Sequence, residues 1–132
     1  MAQKPISRVA IIGVGIMGSG LAAEWAAAGR AVTLYARDEQ RAAAGRDRTA
    51  TWLRALEAGG VLPPGGADGA LARVRTATDL AAAVDSADLV QESIPEDLAL
   101  KRAMFADLDR LCPTETILAS NTSGLPITSI AD

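Results

Sequence analysis

Two periodicities alternate along the chain. Residues 7–12 (SRVAII) close on a β-branched apolar run that glycine cuts off, the pattern of a short buried strand. From Ile16 to Ala28 the spacing turns helical: Ile16, Met17, Leu21, Ala22, Trp25 and Ala28 recur every three or four residues, and Gly29 supplies the stop. Residues 31–36 (AVTLYA) predict a second strand. Asp38 or a neighbour caps a helix beginning near Glu39, and Trp52, Leu53 and Leu56 extend helical spacing through residues 47–58. Residues 59–69 (GGVLPPGGADG) read as a loop, because two prolines and five glycines disfavour regular structure. Beyond it follow a strand over 73–78, a short helix over 79–84, a strand over 87–93, a turn at Pro95, an amphipathic helix over 97–111 and a strand over 116–119.

Strand and helix alternate throughout, without an internal repeat. That order predicts an open parallel α/β sheet with helices on both faces. The unbroken apolar runs VAII and TILA suit strands buried on both sides.

One turn carries chemistry. Gly13-Val14-Gly15-Ile16-Met17-Gly18 stands between a predicted strand and a predicted helix, with a second strand after Gly29. A lone GxGxxG says little in a chain with 12 glycines, but this setting is the one a dinucleotide fingerprint requires. Gly13 permits the tight turn, Gly15 lets a pyrophosphate approach the backbone, and Gly18 lets the helix pack on the strand. Ile16 and Met17 would offer their amides at the helix N-terminus, where the dipole favours anions. The bland alternative is a tight strand-to-helix turn and nothing more. The second strand of such a fold ordinarily ends in an acid that holds the adenine ribose. The position here is Ala36, followed by Arg37 and Asp38. Three readings stay open: Asp38 reaches the ribose of NAD, Arg37 binds the 2′-phosphate of NADP, or the two form a solvated turn and helix cap.

Composition narrows the chemistry further. The 132 residues suffice for one ordinary domain, and 49% are apolar. With 28 alanines and four aromatics, the core is expected to consist of Ala, Val, Ile and Leu under closely packed helices. Histidine is absent, which removes any imidazole base or metal ligand. A single cysteine, Cys112, excludes an internal disulfide and CxxC metal sites; it is read as a half-buried hydrophobe at a helix end, in keeping with a reducing, cytoplasmic setting. A net charge of −3 argues against nucleic acid as the main partner. No apolar run reaches the roughly 18 residues of a membrane span. Lys4, Arg8 and the following VAIIGVGIM loosely imitate a signal peptide, but four glycines and Glu24 interrupt the pattern.

Residues 88–101 (DLVQESIPEDLALK) and 116–124 (TILASNTSG), together with the GxGxMG turn, resemble the N-terminal domain of the 3-hydroxyacyl-CoA dehydrogenases, with lambda-crystallin (gulonate dehydrogenase) a relative. The resemblance covers essentially the whole chain. It implies a Rossmann-type sheet and NAD as cofactor. It places Ser93 beside the cofactor, Glu96 on the nicotinamide-side ribose, Lys101 at the same end, and Asn121 near the nicotinamide. Ser123 would hydrogen-bond the 3-oxygen of an acyl-CoA substrate. The alternatives are a first-turn carboxylate for Glu96, an exposed Lys101 paired with Asp97 at i, i+4 spacing, and an ordinary turn over residues 121–123.

The chain departs from the family in two ways. Gly124 stands where family members often carry a second serine. The family's catalytic histidine lies beyond the SNTS motif, and this chain contains none. The expectation is therefore a single domain over residues 1–132 that lacks the last part of the cofactor domain and the helical C-terminal domain, which dimerises and completes the acyl-CoA site. Such a chain would bind cofactor and not turn over. Competing readings are a domain of a free 3-hydroxyacid or sugar-acid dehydrogenase, or a non-catalytic dinucleotide-binding module.

Overall fold

The computed structural model describes residues 5–122 and 126–131. Five strands, β1 (Arg8–Ile12), β2 (Ala31–Tyr35), β3 (Val74–Ala77), β4 (Leu89–Glu92) and β5 (Ile117–Ser120), form one sheet. Its order is β3-β2-β1-β4-β5, and every neighbouring pair is parallel. Among the described residues, six helices accompany it: α1 (Ile16–Ala27), α2 (Glu39–Ala58), α3 (Gly66–Leu71), α4 (Leu80–Val84), α5 (Leu98–Leu111) and α6 (Ile127–Ala131). This is the expected doubly covered parallel sheet, of Rossmann type.

Alternation within the strands divides the core between two faces. Val9, Ile11, Val32, Leu34 and Leu89 face α1, α2 and α3, where Ala22, Ala23, Ala26, Leu53, Ala67 and Ala70 meet them. Ala10, Ile12 and Val90 face α4 and α5, against Ala83, Val84 and Leu108. Ala22, Ala23 and Ala26 of α1 are at most 1% exposed, so this helix lies close on the strands, as the alanine-rich composition suggested. Val9–Ile12, the run that imitates a signal peptide, is the buried central strand.

The structure corrects the loop expected over 59–69. Its second half belongs to a helix, α3. Gly65 takes φ +81° and turns the chain into it, Ala67 and Ala70 are buried, and the Glu57 carboxylate accepts from the Ala67 amide at 2.9 Å. Tertiary packing and a borrowed cap thus outweigh the weak helix propensity of GADG. The helices over 39 and 47–58 are one continuous α2 of 20 residues. Cys112 ends α5 half-buried, as read; burial, then the charge of Asp109, pushes its thiol pKa up. No described helix is long and apolar enough to cross a membrane.

Candidate dinucleotide site

The parallel register brings the carboxyl ends of β1, β4 and β5 into line: Ile12 lies beside Glu92, and Glu92 beside Ser120. The residues that follow, Gly13, Ser93 and Asn121, therefore share one edge of the sheet. Connections leave β1 and β4 toward opposite sides, so a crevice opens there.

The glycines of the turn divide their work as the motif predicts. Gly13 takes φ +114°, and a Cβ on it would lie 2.4 Å from the Ser93 carbonyl oxygen. A Cβ on Gly18 would lie 2.1 Å from the Gly13 carbonyl oxygen. Both positions are closed by backbone. At Gly15 nothing lies within 4 Å of that point, so the missing side chain serves no packing need of the protein. Gly15 is the N-cap of α1; no side chain caps the helix and no acid occupies its first turn. Ile16 and Met17 are 71% and 60% exposed. The start of α1 thus presents main-chain donors and an open approach over Gly15, which fits a pyrophosphate.

A set of residues outside the motif holds this turn from behind. The Ser19 hydroxyl, buried, donates to the Val14 carbonyl at 3.1 Å, and Arg48 Nη1 donates to the same oxygen at 2.7 Å. Gly45 of α2 backs onto Val14 so tightly that a Cβ would meet Val14 Cβ at 2.5 Å. Thr49 donates to the Gly45 carbonyl at 2.9 Å. Helix α2 is thereby locked to the turn. A glycine, a serine and a threonine inside helical stretches were the available signals, since each is a weak helix former lacking a local reason.

At the end of β2 the cap reading of Asp38 holds. Its Oδ1 accepts from the Arg41 amide at 2.8 Å and its Oδ2 pairs with the Arg41 guanidinium. The amide bond and the Arg41 charge hold the Asp38 carboxyl pKa below its ordinary value. Ala36 is buried, and Arg37 stands exposed beside it.

A buried ion pair organises the far side of the crevice. Lys101 Nζ lies 2.6 Å from Glu92 Oε2, with side chains 1% and 0% exposed. Glu92 also accepts from the Ile94 amide at 2.7 Å and the Ser120 hydroxyl at 2.5 Å. Its own carbonyl accepts from the Asn121 amide at 2.7 Å. Lys101 lies 3.6 Å from Glu96 as well, and Glu96 accepts from Thr122 Oγ1. Glu92, Lys101 and Ser120 thus tie β4, α5 and β5 together beneath Ser93, Glu96 and Asn121.

Two expectations change with this network. Lys101 is not an exposed residue paired with Asp97; Asp97 instead caps α5, accepting from the Leu100 amide at 3.0 Å. Glu96 is not in the first turn of α5, since it precedes that cap. Ser123 and Gly124 lie outside the described residues. Glu92 went unread because an acid ending a strand has no periodicity to reveal that it is buried.

The model of the family described as 3-hydroxyacyl-CoA dehydrogenase, NAD binding domain, matches residues 8–132. The chain belongs to this family. A Bacillus subtilis protein named probable 3-hydroxybutyryl-CoA dehydrogenase is 40% identical over 126 residues, which are 96% of this chain and 44% of that protein. The 5-formyl-3-hydroxy-2-methylpyridine 4-carboxylate 5-dehydrogenase of Mesorhizobium japonicum is 39% identical over 127 residues, 95% of this chain and 40% of that protein. Among solved structures, the 3-hydroxybutyryl-CoA dehydrogenase of Escherichia coli K12 superposes with a TM-score of 0.89 at 36% identity, covering 97% of this chain and 27% of that one. The chain therefore spans less than half the length of these relatives and corresponds to the NAD-binding domain of 3-hydroxyacyl-CoA dehydrogenase-like enzymes. The resemblance read from the acidic segment and the SNTS motif is borne out, as is NAD as the cofactor.

Proposed function

We propose that residues 1–132 act as one domain that holds NAD in an enzyme oxidising 3-hydroxyacyl thioesters. The observation that carries this reading is the open space over Gly15 at the uncapped start of α1, framed by closed contacts at Gly13 and Gly18. The amides of Gly15, Ile16, Met17 and Gly18 would bind the pyrophosphate, and Arg37 would lie at the adenine ribose, with Asp38 occupied as a helix cap. Ser93 and Asn121 would border the nicotinamide, and Glu96 would accept from its ribose. Lys101 would act from beneath, positioning Glu96. Bound there, NAD supplies the hydride acceptor for C3 of the substrate. Ser123 would donate to the 3-oxygen and orient it.

Loss of the hydroxyl proton needs a positioned base, worth roughly 10²–10⁴-fold. The chain has no histidine, and Glu92 and Glu96 are engaged by Lys101. We therefore expect cofactor binding without turnover from this chain alone. In the whole enzyme the base, the acyl-CoA surface and the dimer contacts would come from further protein, in the cytoplasm. A second reading, action on a free acid that is no thioester, is favoured by the Mesorhizobium relative, whose name denotes a formylpyridine carboxylate.

Calorimetric titration with NAD, followed by an assay of NADH absorbance with acetoacetyl-CoA, tests both parts. Binding without oxidation is expected. Absence of binding at millimolar NAD would overturn the cofactor site. Turnover rivalling that of a full-length relative and surviving Ser123→Ala would overturn the assignment of the base and of Ser123.

A further inference from the structure

We propose that the sheet carries a second ligand site at its amino-terminal end, an anion pocket for a small phosphorylated molecule, built by Arg8, Arg73 and Arg75. This end lies opposite the glycine turn. Arg8 opens β1, and Arg73 and Arg75 flank the first residue of β3. Their side chains line a cavity of about 500 Å³ together with Thr33 and Ser86. That volume lies within the range of small-molecule pockets, roughly 300–1,000 Å³.

The void has a physical origin. Helix α4 is only five residues long, so it covers little of β2 and β3. The residues facing the space are small: Gly29, Ala31, Ala72, Ala83 and Ala87. The result is an apolar floor under a cationic rim.

The rim is positive and available. Among the described residues no carboxylate lines the cavity, and none forms an ion pair with Arg8, Arg73 or Arg75. Arg75 Nε donates to Thr33 Oγ1 at 2.8 Å, and Arg73 Nη1 donates to the Ala26 carbonyl at 2.8 Å. Each is thereby aimed while spending one of its five N–H groups on a neutral acceptor. Asp88, below β4, has Oδ2 occupied by the Ser7 and Arg8 amides at 2.8 and 3.0 Å. Arg8, Arg73 and Arg75 are all exposed and concentrate positive charge at one end of a chain of net charge −3. The planar fork of arginine matches a phosphoryl group in two-bond geometry. The Ser86 hydroxyl adds a donor.

Strand β1 separates this pocket from the glycine turn by about 13 Å, at 3.3 Å per residue. Cofactor and anion would therefore bind together without competing, and the proposal stands apart from the reading of the NAD site.

The test is nuclear magnetic resonance of the ¹⁵N-labelled chain, titrated with NAD and then with pyrophosphate, with calorimetry for affinity. NAD is expected to shift the amides of residues 13–18. Pyrophosphate, added to the NAD-bound chain, is expected to shift Gly29, Arg73 and Ser86 with submillimolar affinity. Ribose 5-phosphate binding more tightly than inorganic phosphate would support a phosphorylated molecule as the ligand, and the reverse order would overturn that assignment. The Arg8→Gln/Arg75→Gln variant should bind pyrophosphate at least about tenfold more weakly with NAD affinity unchanged. Arg8→Gln alone, which removes no hydrogen bond made by that side chain among the described residues, should weaken it in the same direction. Pyrophosphate shifts confined to the glycine turn, absence of shifts at millimolar pyrophosphate, or equal affinity in the variants would each overturn the proposal.

Discussion

Lys101 and Glu92 meet at 2.6 Å in a space closed to solvent, one from α5 and the other from the end of β4. Their pairing fixes where the chain goes after β4, because the same carboxylate holds the Ile94 amide and the Ser120 hydroxyl. The edge of the crevice rests on this one carboxylate.

Removing one partner of a buried pair strands the other charge, which typically costs about 3–5 kcal/mol. Lys101→Met is therefore expected to destabilise the domain by about that amount in urea denaturation. The Glu92→Gln/Lys101→Met double variant should recover most of the loss, since a neutral Gln still accepts from the Ile94 amide. Equal losses in the single and double variants would show that the pair is not the source of the effect.

The turn glycines should separate stability from binding. Gly13→Ala forces a side chain into φ +114° and against the Ser93 carbonyl, an expected loss of about 1–3 kcal/mol from the backbone alone. Gly15→Val meets no protein atom near Cβ and should cost no more than about 1 kcal/mol, the loss of a favoured N-cap residue. It should weaken NAD binding by more than tenfold, or about 1.4 kcal/mol. Thermal melts and calorimetry on both variants check this division.

Cofactor choice is expected to turn on Arg37. With Ala36 in place of the usual acid and the Asp38 charge paired with Arg41, the strand end repels a 2′-phosphate only weakly. NADP should bind within about tenfold of NAD, a difference near 1.4 kcal/mol. Arg37→Ala should weaken NADP and leave NAD almost untouched. A thousandfold preference for NAD in the wild type would show that another group excludes the phosphate.

Asp38 makes part of the acid sensitivity predictable in sign. Its folded pKa is depressed by the Arg41 amide and guanidinium. The stabilisation it lends is therefore full above the ordinary carboxylate value, about 4, and is lost as pH falls through the lower folded value. Asp38→Asn keeps a capping side chain without the charge. The wild type should melt higher than this variant at neutral pH, and the gap should close in acid. A gap independent of pH would place the effect in the cap geometry alone.

Much of the molecule was legible in the chain as written. Period-two and helical runs located all five strands and the main helices, because central parallel strands need unbroken apolar residues and covering helices need an apolar stripe. GxGxxG between strand and helix announced a turn whose glycines answer separate local demands: backbone closes Gly13 and Gly18, and open space lies over Gly15. The acidic segment and SNTS motif pointed to the family. Other features required the packed structure. Helix α3 forms within a stretch rich in glycine because Glu57 and the faces of α1 and α2 receive it. Gly45 stands inside α2 because Val14 lies against it, a contact no local pattern announces. Lys101, read as a cofactor contact or an exposed partner of Asp97, and Glu92, which carried no reading, form the centre of a buried network because the sheet register sets β4 beside β5. Sequence pattern determines which residues prefer a strand, a turn or a helix. Which charge meets which, and which glycine leaves room for a ligand instead of a neighbour, is decided by distances between segments remote along the chain.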